Sequence, residues 1–293
     1  MNGLHYQPFS ETQKARIGHR WLRSFALWDW LTTPHFQGME NIPRQGPVLL
    51  VGNHSIFAFA DASLMVREIY KQHGIICRSL GLHEHFKIPL WGKLLANNGA
   101  VDGTRDNCRQ MMLGGEHIVV YPGGGGEVMK RKGEQHRLRW KNRTGFAQMA
   151  IENNCTVVPF STVGADDCYD LIFDNHEIGQ HALGQLAIKI SGLKGEEFPP
   201  LLKGLGPTLI PKPQRMYFKF HEPIEAGIYR SGNLEMDGLA LRKQIESIVQ
   251  EGIDELLALR ANDDLSSLKK RLKNRAATSV VQVGGWFKDL LRR

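Results

Sequence analysis

A histidine and an aspartate follow an apolar run in the stretch PVLLVGNHSIFAFADASLM, residues 47–65. His54 comes directly after the run, and Asp61 comes seven positions later. A histidine at the end of a buried strand can accept a proton from a bound hydroxyl, and a carboxylate can fix its tautomer and stabilise the imidazolium. The pattern predicts a general-base dyad, provided that residues 55–60 turn, since seven helical positions span about 10 Å. The alternatives are a core histidine and an aspartate that caps the next helix.

Two later strand ends carry residues suited to bind charged or polar ligands. In GAVDGTRDN, residues 99–107, Arg105 follows a strand and opens a helix, an arrangement typical of anion sites. In YPGGGGEVMKRKG, four glycines at 123–126 follow Pro122. Such a run indicates backbone that approaches a ligand closely or that needs positive φ. No Gly-Lys-Ser/Thr follows, so the run is not a Walker loop.

The segment after the glycines is strongly basic. From Lys130 to Arg143 it holds seven Lys and Arg and one acid, Glu134. Such a segment could hold phosphates or an anionic lipid headgroup, and a solvated basic loop is the alternative.

Short apolar runs alternate with helical stretches from about residue 47 onwards. This alternation predicts an α/β fold, with a mostly parallel central sheet flanked by helices and with amphipathic helices at both termini. We expect strands at 47–53, 75–80, 99–102, 117–121, 156–163 and 215–225, helices at 61–72, 87–96, 105–113, 143–153 and 234–260, and a long loop at 190–214. The predicted parts are an N-terminal helical segment (1–38), the α/β domain (39–230) and C-terminal helices with a basic amphipathic tail (231–293).

The composition is that of a globular protein. Of the 293 residues, 42% are hydrophobic and 31 are glycine, enough for one large domain or two small ones. We expect a reducing, cytoplasmic compartment, because nothing at the N-terminus is typical of a secretory leader and the cysteines form no CxxC pair. The four cysteines are Cys77, Cys108, Cys155 and Cys168.

The net charge of +7 lies at one end of the chain. Residues 265–293 hold eight Lys and Arg and one Asp, while the rest of the chain holds 29 basic and 29 acidic residues. A basic terminal helix with apolar residues suits an anionic membrane surface, whereas a nucleic-acid binder more often carries its charge over a folded face. A solvated tail is the alternative.

The N-terminal stretch ARIGHRWLRSFALWDWL, residues 15–31, predicts an amphipathic helix. Trp21, Trp28 and Trp30 lie beside arginines, which fits either packing on the core or burial in a lipid interface. No segment has the roughly 18–20 apolar residues that a membrane-spanning helix needs. We therefore expect a peripheral, monotopic protein on the cytoplasmic side of a membrane.

Four blocks in this order resemble the glycerolipid acyltransferase superfamily: a His-x4-Asp block, an Arg-bearing block, a Pro-Glu-Gly or Pro-Gly-Gly block and a Val-Pro block. Here the fourth block is VVPF, residues 157–160. The stretches FALWDW, QGMENIPRQGPVLLVGNH, YPGGGGE and RTGFAQMAIENNCTVVPFST resemble more closely the branch that contains the diacylglycerol and monoacylglycerol acyltransferases and transmembrane protein 68. The third block of that branch reads Pro-Gly-Gly-x-x-Glu, and this chain matches it at Pro122, Gly123, Gly124 and Glu127.

The resemblance covers roughly residues 20–225 and implies an O-acyltransferase. Such an enzyme moves a fatty acyl group from an acyl thioester, either acyl-CoA or an acyl-carrier protein, to a hydroxyl of a glycerolipid, and no metal or other cofactor is implied. His54 would be the base and Asp61 its support, although six residues separate them here and four in the superfamily. The substrate-binding residues would be Arg105, Pro122, Gly123, Gly124 and Glu127. The implied partners are the acyl donor, the glycerolipid and an anionic membrane surface, with no nucleic acid.

Three alternatives compete with the acyltransferase. A lipid hydrolase would need a nucleophile, and the chain has no GxSxG elbow. A zinc site at His83, Glu84 and His85 is disfavoured because alternate residues of an extended segment face opposite ways. A non-catalytic lipid-binding module would use the glycines and the basic ends to bind membrane, with His54 merely structural.

Overall fold

The structure is a computed structural model that describes residues 5–56, 59–191 and 200–276. Its strands, in chain order, are β1 (His35–Gln37), β2 (Val48–Gly52), β3 (Cys77–Gly81), β4 (Ala100–Asp102), β5 (His117–Val120), β6 (Thr156–Val163), β7 (Asp170–Phe173), β8 (Leu201–Lys203), β9 (Tyr217–Phe220) and β10 (Ile224–Glu225). Its α-helices are α1 (Glu11–Ser24), α2 (Ala26–Thr32), α3 (Phe59–His73), α4 (His83–Lys87), α5 (Pro89–Asn97), α6 (Arg105–Leu113), α7 (Gly124–Val128), α8 (Gly145–Glu152), α9 (Asn175–Gln180), α10 (Ala182–Ser191) and α11 (Leu234–Ala261).

Eight of these strands form the central sheet. Seven follow the order β1-β9-β6-β2-β5-β3-β4, and β10 also pairs with β6. The strands from β6 to β4 run parallel to one another, while β9 and β10 run antiparallel to β6. The predicted α/β fold with a mostly parallel sheet is confirmed.

Strand β2 lies in the middle of the sheet and positions the first predicted motif. All five of its residues, VLLVG, are buried, as a strand covered on both faces requires. Helix α3 packs on one face of the sheet with α1 outside it, and α6, α8 and α11 cover the other face. Because β2, β5 and β6 are parallel neighbours, their carboxyl ends meet at one edge, where His54, Tyr121 and Asp166 follow them.

Two local departures from the sequence prediction have physical causes. Helix α5 begins at Pro89 because proline suits the first turn of a helix, and the short α4 precedes it. The segment predicted as a loop at 190–214 contains β8, whose backbone pairs with β7 in a small antiparallel sheet. Residues 192–199 lie outside the described residues.

The N-terminal helices pack on the rest of the fold through two of their three tryptophans. Trp21 is buried, and the Trp28 indole N–H donates to the carbonyl of Ala60 at 2.9 Å. Trp30 is exposed. Strand β1, which falls within the segment predicted to be helical, pairs with β9 in the central sheet.

The described part of the basic tail also docks on the fold. Residues 268–276 are helical, and the buried guanidinium of Arg271 donates to the carbonyls of Leu31, Ser266 and Pro213. This cation is therefore engaged within the protein. The apolar end of the predicted tail lies outside the described residues: Trp286, Phe287, Leu290 and Leu291. In the described ranges, the structure contains no helix with the length and hydrophobicity to cross a bilayer.

Candidate active site

The His54 imidazole lies in an aromatic stack at the carboxyl edge of the sheet. Its ring stacks on Tyr121, which follows β5, with centroids 4.1 Å apart and an interplanar angle of 7°. Tyr121 in turn contacts the edge of Phe160 in β6. Three neighbouring strands thus fix the plane of the His54 ring.

Burial keeps the His54 imidazole neutral. Desolvation first, and then the nearby Lys130 cation, lower its pKa to about 3, although Asp166 acts in the opposite direction. Its Nδ1 is buried and has no hydrogen-bond partner among the described residues. The ring is therefore in the form that accepts a proton, although protonation inside this site is costly.

Asp61 lies in the first turn of α3 rather than at its N-cap. Its Oδ1 accepts a hydrogen bond from the Ala62 amide at 2.7 Å, and its Oδ2 accepts one from Thr162 Oγ1 at 3.2 Å. Desolvation raises the pKa of this carboxyl to about 6. Residues 53–56 are not helical, but residues 59 and 60, which the predicted dyad places in a turn, already belong to α3. The described hydrogen bonds of Asp61 do not include His54.

Asn53 ties the end of β2 to β6. Its side-chain amide donates to the Thr162 carbonyl at 2.9 Å and accepts from the Thr162 amide at 2.8 Å. Thr162 also donates to Asp61. One residue of β6 therefore orients both Asn53, which precedes His54, and Asp61, which follows it by seven positions.

A buried ion pair holds the His54 turn. Lys130 Nζ lies 2.6 Å from Asp166 Oδ2 and donates to the His54 carbonyl at 2.8 Å. Asp166 also accepts hydrogen bonds from the amides of Ile56 and His136 at 2.9 and 3.1 Å. The pair therefore links the segments that follow β2, β5 and β6.

Glu127 is buried beside this pair. Desolvation raises the pKa of its carboxyl to about 7, an effect that Lys130 partly offsets. The amides of His54 and Arg139 favour its ionised form from nearby, yet both carboxylate oxygens lack a partner with hydrogen-bond geometry among the described residues. Gly123 makes room for this side chain, because a Cβ there would lie 2.1 Å from Glu127 Oε2.

Arg143 holds the glycine turn from outside. Its Nη1 donates to the carbonyls of Pro122 and Gly123 at 2.9 and 2.8 Å. Gly124 has a φ of +50°, and a Cβ there would lie 2.8 Å from the same guanidinium. In contrast, a Cβ on Gly126 would meet no atom within 4 Å. The structure thus explains Gly123 by the space that Glu127 needs and Gly124 by its positive φ. Gly126 has open space beside it.

Several cations of the predicted basic segment have partners within the protein. Besides Lys130 and Arg143, Lys132 pairs with Glu177 at 2.9 Å and Arg139 pairs with Glu134 at 2.8 Å. These contacts favour a structural use of these cations over a phosphate or headgroup site.

Arg105 lies on a different part of the surface. It begins α6, and its Nη2 is 2.5 Å from Gln148 Oε1 on α8. It lines a groove of about 740 Å³ that the side chains of α6, α8 and the start of α11 enclose, with Arg109 and Arg230 as further cations. This groove does not include the residues around His54, and the role of Arg105 in binding substrate remains a prediction.

The structure also shows a histidine–carboxylate pair that the sequence did not indicate. His83 Nδ1, at the start of α4, lies 2.8 Å from Asp102 Oδ2 at the end of β4. Here β4 is three strands away from β2, or roughly 14 Å at ordinary strand spacing. Within the described ranges, no cluster of three or more His, Cys, Asp or Glu could hold a metal ion.

Comparisons with known proteins point to a family. Residues 33–163 match the family model described as Acyltransferase. The chain is 30% identical over 276 residues to phytyl ester synthase 2, chloroplastic, of Arabidopsis thaliana, covering 87% of this chain and 38% of that protein. It is 33% identical over 125 residues to the Homo sapiens "DGAT1/2-independent enzyme synthesizing storage lipids", covering 43% of this chain and 38% of that protein. The chain thus spans less than two fifths of the length of these relatives.

A solved structure shares the fold. The crystal structure of the 1-acyl-sn-glycerophosphate acyltransferase PlsC from Thermotoga maritima has a TM-score of 0.51 to this chain at 18% identity, over 84% of this chain and 80% of that one. The central sheet and its flanking helices are therefore an architecture that this protein shares with PlsC.

Proposed function

Since residues 33–163 match the acyltransferase family model, we propose that this chain is an O-acyltransferase that uses His54 as general base. The acyl group would pass from a thioester to a hydroxyl of a lipid acceptor. The single observation that carries the proposal is the position of the partly buried His54 imidazole, stacked on Tyr121 at the carboxyl edge of the sheet.

The proposed reaction needs only a base and an activated donor. An imidazole nitrogen of His54 takes the proton of the acceptor hydroxyl while its oxygen attacks the thioester carbonyl carbon. The tetrahedral intermediate collapses, the carbon–sulfur bond breaks, and the leaving thiolate receives the proton from the imidazolium. An ionised Asp61 would stabilise that imidazolium, which the buried site otherwise disfavours.

We propose a glycerolipid as the acceptor, with acyl-CoA or an acyl-carrier protein as the donor. The name of the human relative, which refers to storage lipids, supports a glycerolipid. The name of the plant relative favours a second candidate, a long-chain alcohol that would be converted to an ester. The protein would work as a peripheral enzyme at the cytoplasmic side of a membrane.

The test is transfer of a labelled acyl group by the purified chain. The donors are acyl-CoA and acyl-carrier protein, and the acceptors are lysophospholipid, mono- and diacylglycerol and a long-chain alcohol. We expect His54→Ala to lower kcat by at least about 10²-fold. The matched control is His83→Ala, which removes a histidine of this sheet edge whose Nδ1 lies 2.8 Å from a carboxylate oxygen of Asp102.

Each outcome separates the alternatives. If His83→Ala abolishes transfer and His54→Ala does not, the base is misassigned. Release of free fatty acid without an acceptor would indicate a hydrolase. Lipid binding with no turnover on any donor would indicate a non-catalytic module.

A further inference from the structure

The segment between β6 and β9 exposes many large apolar side chains. They belong to α10, to β8 and to the loop after β8, and we call them the insertion surface: Leu183, Leu186, Ile190, Leu201, Leu205, Leu209 and Ile210. On α10, positions 183, 186 and 190 share one helix face. These three side chains are 53–82% exposed. A helix that faces only water usually carries polar side chains on its exposed face.

These elements form one contiguous unit beside the candidate active site. Helix α10 packs on α9, and α9 packs on β7, which pairs with β8. Lys132 connects the unit to the segment after Glu127, because it pairs with Glu177 at 2.9 Å and lies over the Phe173 ring. The unit begins four residues after Asp166.

The segments that carry the insertion surface hold cations, whereas the acids of the unit, Asp170, Asp174 and Glu177, lie on β7 and at the start of α9. The described residues 178–191 and 200–215 contain Lys189, Lys203, Lys212 and Arg215 and no Asp or Glu. Lys212 pairs with Asp170 and Arg215 with Asp263, whereas Lys189 and Lys203 are exposed beside the apolar side chains. Apolar side chains interleaved with cations match the boundary between acyl chains and anionic headgroups.

We propose that the insertion surface binds an anionic lipid bilayer and brings the candidate active site to it. The choice of a lipid partner rests on the proposed function, in which the acceptor is a membrane lipid. A second copy of the chain is a poorer occupant, because a two-fold contact would place Lys189 and Lys203 against themselves. The chain's own residues 277–293 are also a poorer occupant of this cationic surface, since they carry the cations Lys288, Arg292 and Arg293.

The test compares two double variants of the full chain. Leu183→Glu/Ile190→Glu changes two side chains of the insertion surface that are 82% and 77% exposed. The matched control, Leu113→Glu/Ile228→Glu, makes the same chemical change at side chains 68% and 77% exposed near the opposite edge of the sheet. The probe is co-sedimentation with vesicles of equal parts phosphatidylcholine and phosphatidylglycerol. We expect the first variant to lose at least about tenfold in partitioning, on the scale of two lost apolar contacts, and the control to bind like the wild type.

Several results would overturn the proposal. These are unchanged binding of Leu183→Glu/Ile190→Glu, an equal loss in the control, or a wild-type dimer that only the insertion variant dissociates. A second variant, Lys189→Glu/Lys203→Glu, avoids the apolar positions and should lose binding to the anionic vesicles if the first variant folds poorly. His54→Ala should bind vesicles like the wild type, so a failed acyl-transfer assay and a failed binding assay are distinguishable.

Discussion

Lys130 and Asp166 form a buried ion pair whose two members both contact the backbone of the His54 turn. Only 1% and 3% of their side-chain surfaces are exposed. Lys130 donates to the His54 carbonyl, and Asp166 accepts from the Ile56 amide. Burying both charges costs desolvation free energy, so we attribute to the pair the fixing of one conformation of the His54 turn. Removing one partner would leave the other as an uncompensated buried charge.

Lys130→Met should therefore destabilise the protein by roughly 3–5 kcal/mol in urea unfolding. Lys130→Met/Asp166→Asn should be more stable than the single variant, because it also removes the unpaired carboxylate. The matched control is Lys132→Met, which breaks the more exposed pair with Glu177 and should cost about 1 kcal/mol or less. Equal stability of Lys130→Met and the wild type would show that the pair does not hold the turn.

Asp61→Asn tests whether the carboxylate supports His54. The amide can keep contacts with Ala62 and Thr162 but cannot stabilise an imidazolium by charge. We expect kcat to fall by about tenfold or more with little change in stability, since desolvation already disfavours the ionised carboxyl. An unchanged kcat would leave Asp61 with only the structural role that its hydrogen bonds describe.

Glu127 makes stability depend on pH in a defined direction. Its folded pKa of about 7 lies above its ordinary value of 4.5, so between these values the folded state holds a proton that the unfolded state has lost. The contribution of Glu127 to the stability of the wild type therefore falls as pH rises through that window. The low folded pKa of His54 makes stability rise with pH instead. This contribution is the same in the wild type and in a Glu127 variant, so it cancels in the difference between their stabilities.

We expect Glu127→Gln to gain thermal stability relative to the wild type as pH rises from about 5 to 8, by several degrees. Thermal unfolding at both pH values, with exposed Glu152→Gln as the control, measures this difference. A difference that does not vary with pH would show that Glu127 titrates normally in the folded protein.

The parts of this fold that could be predicted are those set by local pattern. The bounds of α6 and β6 agree with the sequence prediction because caps and β-branched runs lie within the elements themselves. The Lys130–Asp166 pair was missed because each residue sits in a polar run, 36 positions apart. Arg105 follows a strand end as expected, but the order of strands in the sheet, which places β4 three strands from β2, is not a local property.

The glycine run can be tested by comparing two alanine substitutions. At Gly126 a methyl group meets nothing within 4 Å, and at Gly124 it meets Arg143 and a left-handed φ. If backbone there must approach the substrate, Gly126→Ala should lower kcat/KM by about tenfold without loss of stability. Gly124→Ala should lower both, because it is strained in the protein alone. Full activity of Gly126→Ala would show that the substrate does not require glycine at position 126.

The contribution of the basic tail to membrane binding can be measured with a chain that ends at Ala276. An earlier end would remove Arg271, which is buried and bonded to the fold, and would confuse unfolding with loss of an anchor. Residues 277–293 carry Lys288, Arg292 and Arg293 and one acid, and each cation near an anionic surface contributes on the order of 1 kcal/mol.

Truncation should therefore weaken binding to anionic vesicles by about tenfold or more at low salt, and by less at high salt, where screening weakens the cationic attraction. Residual binding should disappear when the truncation is combined with Leu183→Glu/Ile190→Glu, since the two attachments involve different residues. Sedimentation with anionic and neutral vesicles at both salt concentrations measures these differences. If the truncated chain binds like the full chain, the tail is not an anchor, and the insertion surface must account for attachment alone.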